Sequence, residues 1–200
     1  MPYLAHPRYQ RVDGTPLLIL FAARNREKKG LDYLQESARK TGLPGVPVVA
    51  CGGGPRDLSS HTTRYNVVPG WEKGLEKHTF AELVEAHRRS RAGSREQPHI
   101  PCLSAGWGRR PWEEGPNPKC CGYRRDRTPA AFGQFLQSAI DWMDQHPEQT
   151  TKERLVLVYA WNEFGEGGYI APTRGDPDGL YLKALRSVIL REGGNSARQK

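Results

Sequence analysis

Two hundred residues, 36 % hydrophobic and 26 % charged, suffice for one domain with a substantial core and exclude a low-complexity or compositionally disordered chain. Thirty basic against twenty-two acidic residues give a net charge of +8, but the basic residues are dispersed. Their densest groups, Arg88, Arg89 and Arg91 on a predicted helix and Arg109, Arg110, Arg124, Arg125 and Arg127 around a loop, accompany no nucleic-acid motif, so no nucleic-acid partner is expected. No apolar run approaches the roughly 20 residues that span a bilayer, so no membrane partner is expected either.

Met1 to Pro7 has neither the basic start nor the apolar stretch of a signal peptide. The chain is therefore expected to be cytoplasmic if complete, or periplasmic or secreted if an N-terminal portion is missing. Pro16 to Ala22 reads as a buried strand, followed by Leu31, Leu34 and Ala38 at helical spacing and a helix stop near Thr41-Gly42. Val46 to Cys51 is a second strand, running into Gly52-Gly53-Gly54-Pro55. Those glycines lack the spacing and lysine of a phosphate loop and read as a turn at a strand end.

Residues 56–78 read as a long irregular connection. Loops of that length tend to be functional, which makes Tyr65 and Trp71 candidate sugar-stacking residues. Thr79 with Glu82 spells a capping box opening a helix through Leu83, Val84 and His87. A third strand, His99 to Ser104, emerges into a loop dense in aromatic and basic groups, from which Trp107 and Arg109 are candidate substrate contacts. Thr128-Pro129 starts another helix with Phe132, Phe135, Leu136, Ile140 and Met143 on one face.

Leu155 to Ala160 is the fourth strand, a nearly continuous apolar run expected to be covered on both faces. At its carboxyl end the chemistry changes to Trp161-Asn162-Glu163-Phe164-Gly165-Glu166-Gly167-Gly168-Tyr169. Two carboxylates so close, held with different proton affinities, are what glycosidic cleavage needs: one donates a proton to the leaving oxygen and the other stays ionised. Trp161 and Tyr169 add rings that stack on pyranose faces, and Asn162 a hydrogen-bonding amide. The bland alternative is a solvated Glu-x-x-Glu loop beside core aromatics; the apolar strand immediately before the pair argues against it. A final helix covers about Gly179 to Arg191, and residues 193–200 read as a frayed tail after a domain of residues 1–192.

The block Trp161 to Gly167, followed by Tyr169-Ile170-Ala171-Pro172-Thr173 and Gly179 to Leu185, resembles the Trp-Asn-Glu-Trp-x-Glu-Gly signature of the glycoside hydrolase family 99-like proteins, which include endo-α-mannosidases and polysaccharide-locus WbsX-like proteins. A looser similarity runs to glycoside hydrolase family 71. His6 to Tyr9 with Val12 to Pro16, and Ser104 to Pro111, look like segments of the same family. Phe164 stands where the family has Trp, Ala171 where many members have Glu, and Gly108 where Asp is expected. The resemblance implies a (β/α)8 barrel acting on an oligo- or polysaccharide. It implies Glu166 as general acid/base and Glu163 as the carboxylate that deprotonates the sugar 2-hydroxyl, with overall retention.

Four strand-helix units make an α/β chain of the TIM-barrel type but only half of a barrel, which needs eight units and roughly 250 residues. The chain therefore reads as a C-terminal portion of the family domain. Cys51, Cys102, Cys120 and Cys121 show neither disulfide nor zinc spacing, and no cofactor or metal is expected. Two further readings stay open: a carbohydrate-binding remnant with idle carboxylates, and a glycosyltransferase, which would demand a nucleotide-sugar pocket.

Overall fold

The structure, a computed structural model, describes residues 2–22, 27–53, 56–68, 78–93, 97–108 and 124–198. In chain order its elements are α1 (Pro2–Ala5), β1 (Arg11–Val12), β2 (Thr15–Pro16), β3 (Leu18–Leu20), α2 (Lys28–Lys40), β4 (Val48–Cys51), β5 (His61–Thr63), β6 (His78–Thr79), α3 (Phe80–Ala92), β7 (His99–Ile100), β8 (Cys102–Ser104), β9 (Arg124–Arg125), α4 (Pro129–Gln145), β10 (Leu157–Tyr159) and α5 (Leu180–Arg198). They fall into two compact units, one of Met1–Tyr65, Arg91–Pro101 and Met143–Val156, the other of Asn66–Ser90, Cys102–Trp142 and Leu157–Lys200.

The first unit is built on a parallel sheet of order β3-β4-β5-β7. A hairpin, β1 against β2, precedes it, and both turn residues, Asp13 and Gly14, take positive φ (48° and 76°), as a two-residue primed turn requires. Helix α2 stops as its sequence signals: Thr41 donates its N–H to Ala38, and Gly42 takes a φ of 81°. Its Ala38 packs with Leu43 and Val46 in a buried cluster flanked by Leu4, Leu18 and Leu34. Gln35 fixes the entry to β4 by bonding both backbone groups of one residue, its Nε2 donating to the Val46 carbonyl at 2.7 Å and its Oε1 accepting from the Val46 N–H at 3.0 Å.

Two expectations are corrected here. Residues 61–63, expected inside an irregular connection, form a central strand. Its sequence, His-Thr-Thr, carries no apolar signal because its polar groups are satisfied inside: Thr63 Oγ1 donates to the Ile100 carbonyl at 2.8 Å, and Thr62 Oγ1 meets the His99 ring at 3.0 Å. Strand β3, expected to be buried, and strand β10, expected to be covered on both faces, are only partly buried, with Ile19 exposed, whereas β4 is buried at all four positions. An apolar run sets what a strand can bury, while its cover comes from what packs on the faces of the sheet.

In the second unit β8 and β10 pair in parallel, with Ser104 opposite Tyr159, and β6 pairs in parallel with β9. Pro101 explains why the expected single strand His99 to Ser104 is two: it offers no N–H to a ladder, and β7 pairs with β5 while β8 pairs with β10. The capping box at α3 is formed in both directions, with the Glu82 N–H on Thr79 Oγ1 at 3.2 Å and the Thr79 N–H on Glu82 Oε2 at 2.6 Å. Buried His87 donates from Nδ1 to the Cys102 carbonyl at 2.8 Å, since its Nε2 accepts the Val67 N–H at 3.2 Å. Phe132, Phe135, Leu136 and Ile140 of α4 are buried, and Gly133 faces Ala184 and Val188 of α5. Helix α5 is capped by the Asp176 carboxylate on the Leu180 N–H at 2.9 Å and runs past Arg191 to Arg198.

Candidate active site

The glutamate pair lies on the loop that leaves the carboxyl end of β10, wholly within the second unit. The loop folds back on its own base. Gly168 donates its N–H to the Glu163 carbonyl at 3.0 Å, Gly168 in turn accepts from the Ala160 N–H, Ile170 donates to Ala160 at 3.1 Å, and Ala171 donates to Trp161 at 2.9 Å. The left-handed conformation this reversal needs is taken at Gly167, with φ of 65°.

Tyr159, the last residue of β10, is 3 % exposed and donates its hydroxyl proton to Glu166 Oε2. Its ring stands where any side chain at residue 168 would begin, so Gly168 is there because the ring fills that space. Trp107, a predicted substrate contact, is buried at 6 % exposure, with its ring centroid 6.4 Å from that of Tyr159, so its ring offers no open stacking face.

A second tie joins this loop to residues 105–108, which leave β8. Gly108 donates its N–H to the Glu166 carbonyl at 2.8 Å. Arg127 Nη1 donates to the Gly167 carbonyl at 2.8 Å and to the Ala105 carbonyl at 3.3 Å. Its guanidinium lies over the rings of Tyr169, at 4.5 Å, and Tyr181, at 5.2 Å. A Cβ at Gly106 would sit 2.7 Å from the Gly167 carbonyl oxygen and 2.9 Å from Arg127 Cδ, so the two loops meet too closely for a side chain there. Burial pushes the Tyr181 hydroxyl above its ordinary pKa of 10.0, an effect that Arg127 opposes.

Glu163 and Glu166 are each half-buried. Trp161 is 57 % exposed and Asn162 is exposed, so both present their side chains to solvent beside the glutamates in sequence. Tyr169 is half-buried and carries Phe164 on one side, ring centroids 5.0 Å apart. Tyr65 belongs to the first unit. Trp71 and Arg109, like Cys120 and Cys121, lie outside the described residues. Sequence reasoning missed Tyr159 and Arg127 as site components. Tyr159 had a signal, a hydroxyl closing an apolar strand directly before the carboxylates; Arg127 had none, because its partners are distant in the chain. Among the described residues no group of three or more His, Cys, Asp or Glu side chains is placed to hold a metal ion, and no helix is long and apolar enough to cross a membrane.

A family model described as "Glycosyltransferase WbsX" matches residues 55–185. No curated protein matches the chain in sequence. Among solved structures, a "Glycoside hydrolase-like protein" superposes with a TM-score of 0.58 at 16 % identity over 90 % of this chain and 55 % of the other. The GH99 endo-alpha-mannosidase from Bacteriodes thetaiotaomicron, in complex with BIS-TRIS-Propane, aligns over 97 % of this chain and 63 % of its own at 17 % identity and a TM-score of 0.47. The chain thus has an α/β, TIM-barrel-type fold shared with the glycoside hydrolase-like protein, and spans 55 % and 63 % of the two solved chains.

Proposed function

The chain belongs to the WbsX family, and we propose that it processes glycans as a retaining glycosidase working through Glu163 and Glu166. The observation that carries this reading is the placement of both glutamates on one self-bonded loop at the carboxyl end of a parallel strand, with Glu166 held by the buried Tyr159 hydroxyl. Carboxyl ends of parallel strands are where α/β proteins build their sites.

In the proposed reaction protonated Glu166 gives its proton to the glycosidic oxygen as the bond to the anomeric carbon breaks. Ionised Glu163 takes the proton of the sugar 2-hydroxyl, whose oxygen closes onto the anomeric carbon. Water then opens that ring: Glu166, now a carboxylate, accepts a proton from the water, and Glu163 returns its proton to the 2-oxygen. Two inversions leave the configuration retained. Trp161 stacks on the substrate and Asn162 hydrogen-bonds it, the substrate being an oligo- or polysaccharide.

The name of the family favours a second reading, transfer of a sugar to an acceptor. The chain does contain an Asp-x-Asp triplet, Asp176-Pro177-Asp178, of the kind that could serve a metal-bound nucleotide-sugar. Asp176 caps α5, and Asp178 is exposed, 4.0 Å from the Lys183 ammonium. The test is release of reducing ends from α-mannans, α-glucans and anionic polysaccharides by the wild-type chain and by Glu166→Gln. Release that the substitution abolishes supports the glycosidase. No release, with thermal stabilisation by a nucleotide-sugar, supports transfer; no release, with glycan binding alone, supports a carbohydrate-binding remnant.

A further inference from the structure

We propose that Phe21 and Tyr65 form a glycan-binding platform in the first unit, on which a pyranose ring of an oligosaccharide stacks; the substrate class rests on the glycan-processing reading above. Phe21 directly follows β3 and Tyr65 follows β5, so both rings stand at the carboxyl end of the parallel sheet, on either side of β4. They meet edge to face, centroids 5.0 Å apart and planes at 66°, yet Phe21 is 69 % exposed and Tyr65 44 %. An edge-to-face pair covers the face of one ring and leaves a face of the other open. Two large rings left in solvent while touching each other are what a stacking site looks like before its ligand arrives.

The floor between them fixes the kind of ligand. Strand β4 is followed by Gly52 and Gly53, both at positive φ (80° and 89°), with nothing among the described residues within 4 Å of where a Cβ would point. Peptide groups border that space, Gly52 being anchored by its N–H on the Thr63 carbonyl at 3.2 Å. An acyl chain or apolar peptide needs a continuous apolar trough, which this polar floor does not provide. A pyranose presents a C–H face to an aromatic ring and hydroxyls around its rim to polar groups, which matches a ring beside open backbone.

The experiment is calorimetric titration with mannotetraose and maltotetraose in a Glu166→Gln background, so that turnover does not consume the ligand. Three chains are compared: that background alone, with Phe21→Ala and Tyr65→Ala, and with the aromatic exchanges Phe21→Tyr and Tyr65→Phe. Expected are binding of at least one tetrasaccharide, a loss of roughly tenfold or more in affinity on removing both rings, equivalent to about 1.4 kcal/mol, and near-native affinity in the exchanged chain. The proposal is overturned if neither sugar binds, if removing the rings leaves affinity unchanged, or if the exchanged chain loses as much as the alanine chain. It is also overturned if the rings instead prove to drive concentration-dependent self-association. Binding that depends on the rings without reducing-end release in the Glu166-intact chain would refute the glycosidase and leave the platform standing. Release with ring-independent binding would do the reverse.

Discussion

Replacing Arg127 by Met removes the guanidinium that ties the loop after β8 to the loop carrying the glutamates, while keeping an unbranched side chain of similar reach. The bond to the Gly167 carbonyl, 2.8 Å and charge-assisted, is worth about 1.5 kcal/mol. The 3.3 Å bond to Ala105 is longer and adds roughly 0.5 kcal/mol. Each of the two ring contacts, at 4.5 and 5.2 Å, contributes about 0.5 kcal/mol at a half-buried site. The Met sulfur, lying among the same tyrosines, recovers roughly 0.5 kcal/mol, which leaves a net loss near ~2.5 kcal/mol. For a chain of this length that lowers Tm by about 5–10 °C. Thermal unfolding followed by circular dichroism at fixed ionic strength reads it, with Arg127→Lys expected between the two because an ammonium serves one carbonyl and cannot lie flat on a ring. A Tm for Arg127→Met within about 1 °C of the wild type would refute the clamp. A lowered Tm with unaltered glycan cleavage at a temperature where the chain stays folded would show that the clamp stabilises without positioning.

Tyr159→Phe deletes only the hydroxyl on Glu166, so it is expected to lower kcat for glycan cleavage about tenfold with KM little changed and Tm lowered by no more than about 4 °C; an unchanged kcat would exclude a positioning role. Gly106→Ala forces its methyl against the Gly167 carbonyl and Arg127, and a cost of about 1–3 kcal/mol in thermal or urea unfolding follows from overpacking. An alanine chain as stable as the wild type would mean that the two loops do not meet as described. Burial lowers the pKa of His61 from its ordinary 6.5, against the raising effects of Asp13 and Glu153. The folded chain then binds fewer protons than the unfolded one between the two values. Its contribution is complete above pH 6.5 and is lost as pH falls, levelling off below the folded-state pKa. His61→Gln should flatten that part of the stability curve, and an identical pH dependence in both chains would refute the assignment.

Local rules carried far in this chain. The Thr79 and Glu82 capping box, the stop of α2 at Thr41-Gly42 and the start of α4 at Pro129 are each decided within one turn of backbone, and each forms where its spelling places it. Strand β4 was legible because an apolar run in mid-sheet is covered on both sides. The same reasoning overstated the cover of β3 and β10, since burial depends on what packs on a strand's faces and not on its letters. Strand β5 was invisible because Thr62 and Thr63 bury hydroxyls against partners 37 residues away. The site divides in the same way. Glu163 and Glu166 announce themselves by spacing, whereas Arg127 acts on Gly167, 40 residues on, through a contact that only the folded chain creates.

The closure of the Ala160 to Ala171 segment on its own base has a consequence for engineering. Ala160 and Ile170 are joined directly by a backbone bond, and Trp161 receives the N–H of Ala171, so entry and exit already lie side by side before any helix follows. Such a segment is a cassette. Spliced between a strand ending in Tyr and the next helix of another parallel-sheet protein, it adds little closure entropy because its ends need not be brought together by the host. It would carry both carboxylates, with the host's terminal Tyr standing where Tyr159 holds Glu166.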